Sequence, residues 1–577
     1  MRIHEHAAAG DLDALERAID AGASVEARDK SGQTPLMIAA ASPRAGLNVL
    51  RLLVDRGANI HALSAPTREE SAVQSVLSIA AKGANLEKIK LLIAAGADVE
   101  FVDSHGYSIL LYALYGSYAH STTERLALLG FLVDAGASLD AASSHGETVL
   151  RVSSMHGDFR LAKYFLDRGA DPRPLDWSPL FLAVAFGSPQ DVKALVNQGA
   201  DLNQTDAWER TPFLLSVHAG RLEIARLLLA SGSNRRTTGR CGQTALMLAI
   251  SRNDAPMLEW LVSEGWDVEE TNDFGDFPLV EAAKYGAVEC LKVLLQAGAV
   301  ASRRDKFEHG AINSATSPEI VDLLLSAGED LSDVDSEMRS KLTRIERHEE
   351  FELSPADFLG HRDRTFGKRN PERMYNPFWD AMVRTRASAY TGASKFEERN
   401  FDKGPVWCFQ RYGQSLTRLP DGRFVEIAGE HEDHYDPDFC IYNDVVVHHG
   451  DGTFDIFGYP EADFPTTDFH SATLVPPYIY IIGNLGYPWQ RRPGETPVYR
   501  LDCETWRIRL VQTTGIMPGW IHRHKAQLVN ERSIRISGGK LIAEGSQELI
   551  DNSRSYLLDL ADFTWRLEAP KEAIRAK

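Results

Sequence analysis

A repeat of about 33 residues runs from residue 5 to about residue 335, and this periodicity constrains the fold more than any other feature. Glycines recur in it at intervals of 30 to 40 residues: Gly22, Gly57, Gly96, Gly136, Gly169, Gly199, Gly232, Gly265, Gly298 and Gly328. A unit of this length cannot bury its apolar face alone, so neighbouring copies must stack. The sequence therefore predicts a solenoid over residues 1–335.

Each period also contains a Thr/Ser-x-Leu-like triplet, followed by two short stretches with helical periodicity. The triplets begin at Thr34, Ser108, Thr148, Ser178, Thr211 and Thr244. Thr caps a helix well, and Pro suits the first helical turn. In each stretch, apolar residues at i, i+3 and i+4 give the helix one buried stripe. Each repeat is therefore predicted to hold a packed pair of short helices.

The pattern D-x-x-G-x-T-P-L, then paired Ala, then V-x-x-L-L-x-x-G-A-D, resembles the ankyrin repeat over more than half of the chain. About ten copies are present. The resemblance implies an α-helical ankyrin solenoid, a fold whose broad exposed face usually binds other proteins.

The hairpin tips of the repeats carry the candidate partner-binding residues. These are Ser31, His105, His145, Trp208, Phe274 and Phe307, with Cys241 at the equivalent place in one further repeat. Large aromatic side chains on exposed tips are unfavourable in water unless something covers them, and aromatic residues dominate binding hot spots. Two interpretations stay open: the aromatic tips bind a partner, or they pack on neighbouring hairpins or on the C-terminal domain.

Residues 336–403 interrupt the periodicity and are predicted to form a bridging strap. The segment is charged, yet PFWDAM (377–382) begins with Pro and reads as a short helix whose Phe378, Trp379 and Met382 need burial. A flexible linker does not carry so many large apolar groups. The strap is therefore expected to dock on folded structure.

A second repeat occupies residues 404–577 and is strand-like, with short apolar runs punctuated by Gly, Pro and Asp. Strands end at Gly429, Gly483 and Gly538, spaced by 54 and 55 residues. His470 and His524 precede the later two, and Ser415 stands in their place in the first copy. This pattern resembles the kelch repeat, the four-stranded blade of galactose-oxidase-type β-propellers. The resemblance implies an all-β partial propeller of about three blades after the α-helical solenoid.

Three blades leave an open edge, because propellers generally need at least four blades to close. Either a degenerate fourth blade lies in the strap, or the sheets stay open and the solenoid or strap covers the edge. A homodimer formed through the open edge is a further hypothesis.

One loop in this region contains candidate metal ligands, His431, Glu432, His434 and Asp436. Imidazole and carboxylate groups are the ligands that transition metals take. The H-x-x-H spacing suits neither a helix face nor a strand, so a polar loop bonded to its own backbone is the favoured interpretation. No metal or other cofactor is predicted.

Composition narrows the class of function. The net charge is −19, and residues 1–335 hold 30 Lys and Arg against 45 Asp and Glu. An acidic surface disfavours nucleic acid and anionic lipid as partners. It favours a basic protein partner, or it only keeps a long array of repeats soluble, and both interpretations stay open. No uncharged run reaches the roughly 18–20 residues of a membrane span, the start does not read as a signal peptide, and five scattered cysteines indicate a reducing, cytoplasmic location.

The sequence therefore predicts a non-catalytic protein-binding adaptor or regulator, which includes an inhibitor that neutralises its partner. The alternative is a metal-dependent, oxidoreductase-like enzyme with its site in the loops of residues 430–449.

Overall fold

The computed structural model describes residues 2–65, 72–117, 121–307, 309–329, 331, 334–345, 353–396, 405–433, 436–543 and 548–568. Two compact units make up the chain, Met1–Thr316 and Ser317–Lys577. The second unit includes the last helix of the repeat pattern.

The first unit is helical, and its helices come in short pairs as the repeat predicts. They are α1 (Arg2–Ala9), α2 (Leu12–Asp20), α3 (Pro35–Ala41), α4 (Leu47–Asp55), α5 (Val76–Lys82), α6 (Leu86–Ala94), α7 (Ile109–Gly116), α8 (Thr122–Asp134), α9 (Val149–Met155), α10 (Phe159–Asp167), α11 (Pro179–Phe186), α12 (Pro189–Asn197), α13 (Pro212–His218), α14 (Leu222–Ala230), α15 (Ala245–Ile250), α16 (Ala255–Ser263), α17 (Pro278–Lys284) and α18 (Val288–Gln296).

The triplets and glycines of the repeat set the ends of these helices. Thr34 caps α3, because its side chain accepts a hydrogen bond from the Met37 N–H, and Pro35 is the first helical residue. At the other end of the repeat, Gly57 has φ +84° and the Ala58 N–H donates to Leu53 O at 3.0 Å. This left-handed turn ends α4 and releases the chain toward the next repeat.

The repeat between Gly169 and Gly199 departs from the pattern. A 3₁₀ turn at Arg173–Leu175 replaces the usual hairpin, and Trp177 packs against Phe159 and Phe181, with ring centroids 6.4 and 6.5 Å apart. Arg210 of the following repeat reaches back past this one and donates to Ser154 O at 2.8 Å. A buried guanidinium therefore joins repeats that are not adjacent in sequence.

The second unit combines five helices with nineteen strands among its described residues. The helices are α19 (Pro318–Ser326), α20 (Ser336–Thr343), α21 (Pro355–His361), α22 (Pro377–Thr385) and α23 (Ala389–Lys395). The strands are β1 (Glu372–Arg373), β2 (Ser415–Arg418), β3 (Phe424–Ile427), β4 (Glu430–Asp433), β5 (Asp436–Ile441), β6 (Val445–His448), β7 (Phe454–Gly458), β8 (Ser471–Val475), β9 (Tyr478–Ile482), β10 (Val498–Asp502), β11 (Ile508–Leu510), β12 (Thr514–Gly515), β13 (Ile521–His522), β14 (Lys525–Asn530), β15 (Ser533–Ser537), β16 (Lys540–Ile542), β17 (Leu549–Asp551), β18 (Ser555–Asp559) and β19 (Thr564–Leu567).

Three sheets of five, four and five strands follow one another along the chain, and each contains a group of four antiparallel strands. The additional strands are β1 in the first sheet and β12, which runs parallel to β19, in the third. The first sheet has the order β1-β7-β6-β3-β2, the second β11-β10-β9-β8, and the third β12-β19-β18-β15-β14. A three-stranded sheet, β13-β16-β17, and the β4-β5 hairpin complete the strand-rich region.

The sheets pack face to face, and strand β9 of the second sheet shows how. Ile479 and Ile481 join the apolar cluster that contains Val447 of the first sheet. Tyr480 and Ile482 point to the opposite face, where they join the cluster of the third sheet. Both faces of the middle sheet are therefore buried.

The strap covers the outer face of the first sheet. Phe378, Trp379 and Met382 are fully buried, as the sequence predicts, in one cluster with Val446 and Ile456 of the first sheet. The strap also supplies β1, the fifth strand of that sheet. The strap thus contributes one short strand and a helical cover.

The outer face of the third sheet is largely polar. Ile534 and Ile536 of β15 point toward the second sheet, so Ser533, Arg535 and Ser537 alternate onto the other face. A face with these side chains does not require an apolar cover, which explains how a stack of three sheets can end here.

Candidate protein-binding surface

The six predicted tip residues occupy the same position in the hairpin turns of their repeats. In each turn, a side-chain oxygen two residues earlier accepts hydrogen bonds from the N–H of the tip residue and from the N–H two residues later. That oxygen belongs to Asp29 for Ser31, Asp103 for His105, Ser143 for His145, Asp206 for Trp208, Asn272 for Phe274 and Asp305 for Phe307. The short polar side chain before each tip therefore fixes the backbone of the tip.

Backbone hydrogen bonds also link successive hairpins. The Arg240 N–H donates to Trp208 O at 3.0 Å, and the Asp273 N–H donates to Cys241 O at 3.1 Å. The tips of the later repeats thus form a connected row, so Phe274 is held at a fixed place in that row.

Phe274 and Phe307 are the exposed aromatic tips, with 61% and 64% of their surface accessible. The ammonium group of Lys306 lies 5.1 Å from the centre of the Phe307 ring. Aromatic rings held this far into solvent by rigid turns are suited to burial in a partner.

Trp208 differs from these two, because only 9% of its surface is exposed. The guanidinium groups of Arg151 and Arg240 lie 5.0 and 5.8 Å from its ring. Its indole packs within the repeat unit, so Trp208 offers a partner far less surface than Phe274 or Phe307 does.

The remaining predicted tips are polar. Ser31 and His145 are exposed and His105 is half-buried. Beside the two histidines, Tyr107 and Tyr115 donate hydrogen bonds to the Glu147 carboxylate at 2.8 and 2.9 Å. Burial, and then the bond to Glu147, raises the pKa of Tyr107 to about 12.

The tip pattern did not single out this tyrosine–carboxylate cluster. The available sequence signal is Tyr107, two residues after a tip, with Tyr115 one residue before the end of the helix that follows. Because the tyrosines are half-buried, the cluster adds polar aromatic surface to this part of the unit.

The candidate metal ligands do not gather into a described site. Within the parts of the chain that the structure describes, no group of three His, Cys, Asp or Glu side chains could hold a metal ion. His431 is buried with its Nδ1 3.2 Å from Gln410 O, and Glu432 is exposed. His434 and the side chain of Asp436 lie outside the described residues.

Glu430, next to His431, and its neighbour Asp468 are carboxyl groups whose pKa values burial raises. Burial, together with the neighbouring carboxyl group of Asp468, raises the pKa of Glu430 to about 7. Glu432 raises the pKa further, and Arg523 opposes the shift. Glu430 therefore ionises in the folded protein only near neutral pH.

This raised pKa predicts a pH-dependent stability. Because the folded state holds the Glu430 proton more tightly than the unfolded state, the stabilisation is complete below the ordinary pKa of 4.5 and is lost as the pH rises through about 7. The free energy of unfolding of wild type, relative to that of Glu430→Gln, should therefore fall between about pH 5 and about pH 8. Urea titrations across this range measure the difference.

Glu531→Gln supplies the control, because it removes the same charge at an exposed carboxylate that does not shift the pKa of Glu430. If the difference in free energy of unfolding between wild type and Glu430→Gln stayed constant with pH, the raised pKa of Glu430 would be contradicted.

Comparisons with known proteins identify the repeats. Family models for ankyrin repeats match residues 3–54 and three overlapping segments, 118–206, 180–272 and 246–335. These segments are ankyrin repeats. The ankyrin prediction is confirmed there, and neither model extends into the kelch-like region.

The curated relatives share the ankyrin repeats. The chain is 25% identical over 283 residues to the ankyrin repeat and KH domain-containing protein mask-1 of Caenorhabditis elegans, covering 43% of this chain and 10% of that protein. It is 29% identical over 174 residues to the B-cell lymphoma 3 protein homolog of Mus musculus, covering 29% of this chain and 39% of that protein.

A third relative is the putative ankyrin repeat protein FPV031 of Fowlpox virus, 30% identical over 176 residues, which cover 28% of this chain and 49% of that protein. The chain thus matches less than half the length of each of these three relatives. The ankyrin repeats imply a role in binding other proteins, and the comparisons give no support to the metal-dependent enzyme.

Across the described ranges, no helix combines the length and the apolar character needed to cross a bilayer.

Proposed function

We propose that the chain is a non-catalytic adaptor or regulator that binds a protein partner through the hairpin tips of its ankyrin repeats. The observation that carries the proposal is the pair Phe274 and Phe307, whose rings are more than half exposed on turns of the same geometry. Covering two such rings would remove apolar surface from water and favour association.

The charge of the repeats supports a basic partner. Residues 1–335 account for −15 of the net charge of −19. Opposite charge on a partner would speed encounter and disfavour acidic competitors. An inhibitor that neutralises a basic protein fits this surface, as does an adaptor. We expect no nucleic acid or membrane lipid among the partners.

The test compares tip variants in affinity capture from the native lysate. The double variant Phe274→Ser and Phe307→Ser should lose at least about nine-tenths of the partner held by wild type, because burial of each aromatic hot spot contributes about 2 kcal/mol. Quantitative mass spectrometry measures the captured protein, after circular dichroism has established that the variant folds.

Tyr285→Ser is the matched control. Tyr285 is 51% exposed but stands at the far end of α17 from the Phe274 turn. Equal capture by wild type and the tip variant, or equal loss in the control, would contradict the role of the tips.

We also propose that residues 404–577 form a kelch-like partial propeller of three blades that serves as a second binding surface. The support is the succession of three four-stranded antiparallel groups, together with the equivalent positions of Gln414, His470 and His524 directly before β2, β8 and β14. The prediction that Ser415 occupies the histidine position was wrong, because Ser415 is the first residue of β2 and is equivalent to Ser471 and Lys525. A homodimer through the edge of these sheets is the weaker alternative, because the outer face of the third sheet is largely polar.

A cytoplasmic location stays a prediction. The five cysteines are free thiols, which fits a reducing compartment.

A further inference from the structure

Strands β2, β8 and β14, each the first strand of a four-stranded antiparallel group, form one wall of a cleft in the second unit. Strand β8 lies beside both β2 and β14. The residues that lead into these strands, Gly413, Phe469 and Arg523, all have positive φ, and backbone hydrogen bonds join them. The Phe469 N–H donates to Gly413 O at 3.0 Å, and the Arg523 N–H donates to Phe469 O at 2.8 Å. The same turn thus occurs three times, side by side.

A ladder of Ser–His pairs crosses from sheet to sheet behind these turns. Ser415 Oγ lies 2.8 Å from His470 Nε2, and Ser471 Oγ lies 2.8 Å from His524 Nε2. Burial lowers the pKa of both imidazoles to about 3, so the histidines are uncharged at neutral pH. Each histidine is therefore a neutral hydrogen-bonding link between two sheets.

A polar side chain that breaks the Ser–His pattern lies at each end of this ladder: Gln414 at one end and Lys525 at the other. Gln414 stands where the later copies have histidine, and its buried Nε2 has no hydrogen-bond acceptor among the described residues. Lys525 stands where the earlier copies have serine, and no described residue forms an ion pair or hydrogen bond with its ammonium group. Both residues line the same cleft, whose volume is about 380 Å³. An unpaired buried donor is costly, which favours a ligand that supplies acceptor atoms.

The charged side chains that line this cleft, within the described part of the chain, are both positive. They are Arg523 and Lys525. The Arg523 guanidinium stacks on the Phe469 ring, 3.8 Å from its centre, which orients the planar group. The carboxyl group of Glu430 interacts with Arg523 but ionises only near neutral pH. The cleft thus presents an oriented guanidinium beside an ammonium group.

We propose that this cleft binds a small anionic molecule through a phosphate or carboxylate group that contacts Arg523 and Lys525 and accepts a hydrogen bond from Gln414. A guanidinium fork matches the oxygen pair of either group, and charged hydrogen bonds of this kind are strong. The cleft lies within the size range of small-molecule sites. The site is separate from the ankyrin tips and does not depend on the proposed protein partner.

Calorimetric titration of the full chain with inorganic phosphate, and separately with succinate, tests the proposal. We expect wild type to bind at least one probe saturably, with one site per chain. Arg523→Gln and Lys525→Gln should each weaken binding about tenfold or more, because each removes a charged hydrogen bond worth about 1.5–3 kcal/mol. Binding of phosphate alone would assign a phosphate ligand, and binding of succinate alone a carboxylate ligand.

Arg532→Gln is the matched control, because Arg532 is an exposed arginine in the same sheet region, between β14 and β15, and does not line the cleft. All three substituted side chains are exposed, so the variants should fold. Binding of neither probe by wild type would overturn the proposal. So would a loss in Arg532→Gln equal to that in Arg523→Gln, or unchanged binding by Arg523→Gln.

Discussion

Replacing Arg210 with methionine should lower the free energy of unfolding of the repeat unit by about 3–5 kcal/mol, the usual cost of breaking a buried ion pair from one side. The Arg210 side chain is fully buried and donates to the Asp206 carboxylate at 2.6 and 3.0 Å. It also donates to the backbone and hydroxyl oxygens of Ser154. Methionine leaves the buried Asp206 charge without its partner.

Urea denaturation followed by far-ultraviolet circular dichroism measures this change, since the helices of the first unit dominate the signal. Arg236→Met is the matched control, because Arg236 is exposed and near in sequence. A loss no greater than that of Arg236→Met would show that Arg210 does not clamp the repeats.

Replacing Glu426 with glutamine should destabilise the second unit by a similar amount, about 3–5 kcal/mol. The Glu426 carboxylate is fully buried in the first sheet. It accepts hydrogen bonds from Arg339 at 3.1 Å and from Arg386 at 3.0 and 3.2 Å, and it lies 2.7 Å from His448 Nε2. Both arginines belong to the strap, so the substitution removes the negative charge that balances two buried guanidinium groups.

The pKa of Glu426 reflects the same contacts. Burial raises it, but Arg386, His448 and Arg339 together hold it well below the ordinary value. The stabilisation is therefore present above pH 4.5, the ordinary pKa, and is lost as the pH falls through the folded-state value.

Near-ultraviolet circular dichroism during thermal unfolding follows this prediction, because Trp379 of the strap stacks on Trp407 with ring centroids 4.5 Å apart. Glu495→Gln, at an exposed carboxylate, is the control. If Glu426→Gln melted with wild type, the strap would be held by its apolar contacts alone.

The helix boundaries of the repeat unit could be predicted well, because neighbouring residues within each repeat determine them. Thr34 before Pro35 indicates the start of a helix, and Gly57 indicates the end of one. Neither signal needs information from elsewhere in the chain. The tip position of Phe274 follows from the same local pattern. The burial of Phe378 and Trp379 could also be predicted, since large apolar groups need cover.

What the sequence could not provide depends on residues that meet only in space. Trp208 has the same turn as Phe274, yet Arg151, 57 positions earlier, helps to bury it. Glu426 meets arginines 40 and 87 positions away. Gln414 and Lys525 became notable only because they end the same ladder of side chains. No pattern among neighbouring residues in the sequence shows that these side chains meet in the folded protein.

Hydrogen–deuterium exchange on the complex tests most directly whether the exposed aromatic tips contact a protein partner. The full chain would be compared with and without the captured, purified partner. We expect slowed amide exchange concentrated at the turns around Phe274 and Phe307. Slowed exchange confined to the second unit, with both turns unchanged, would contradict this expectation.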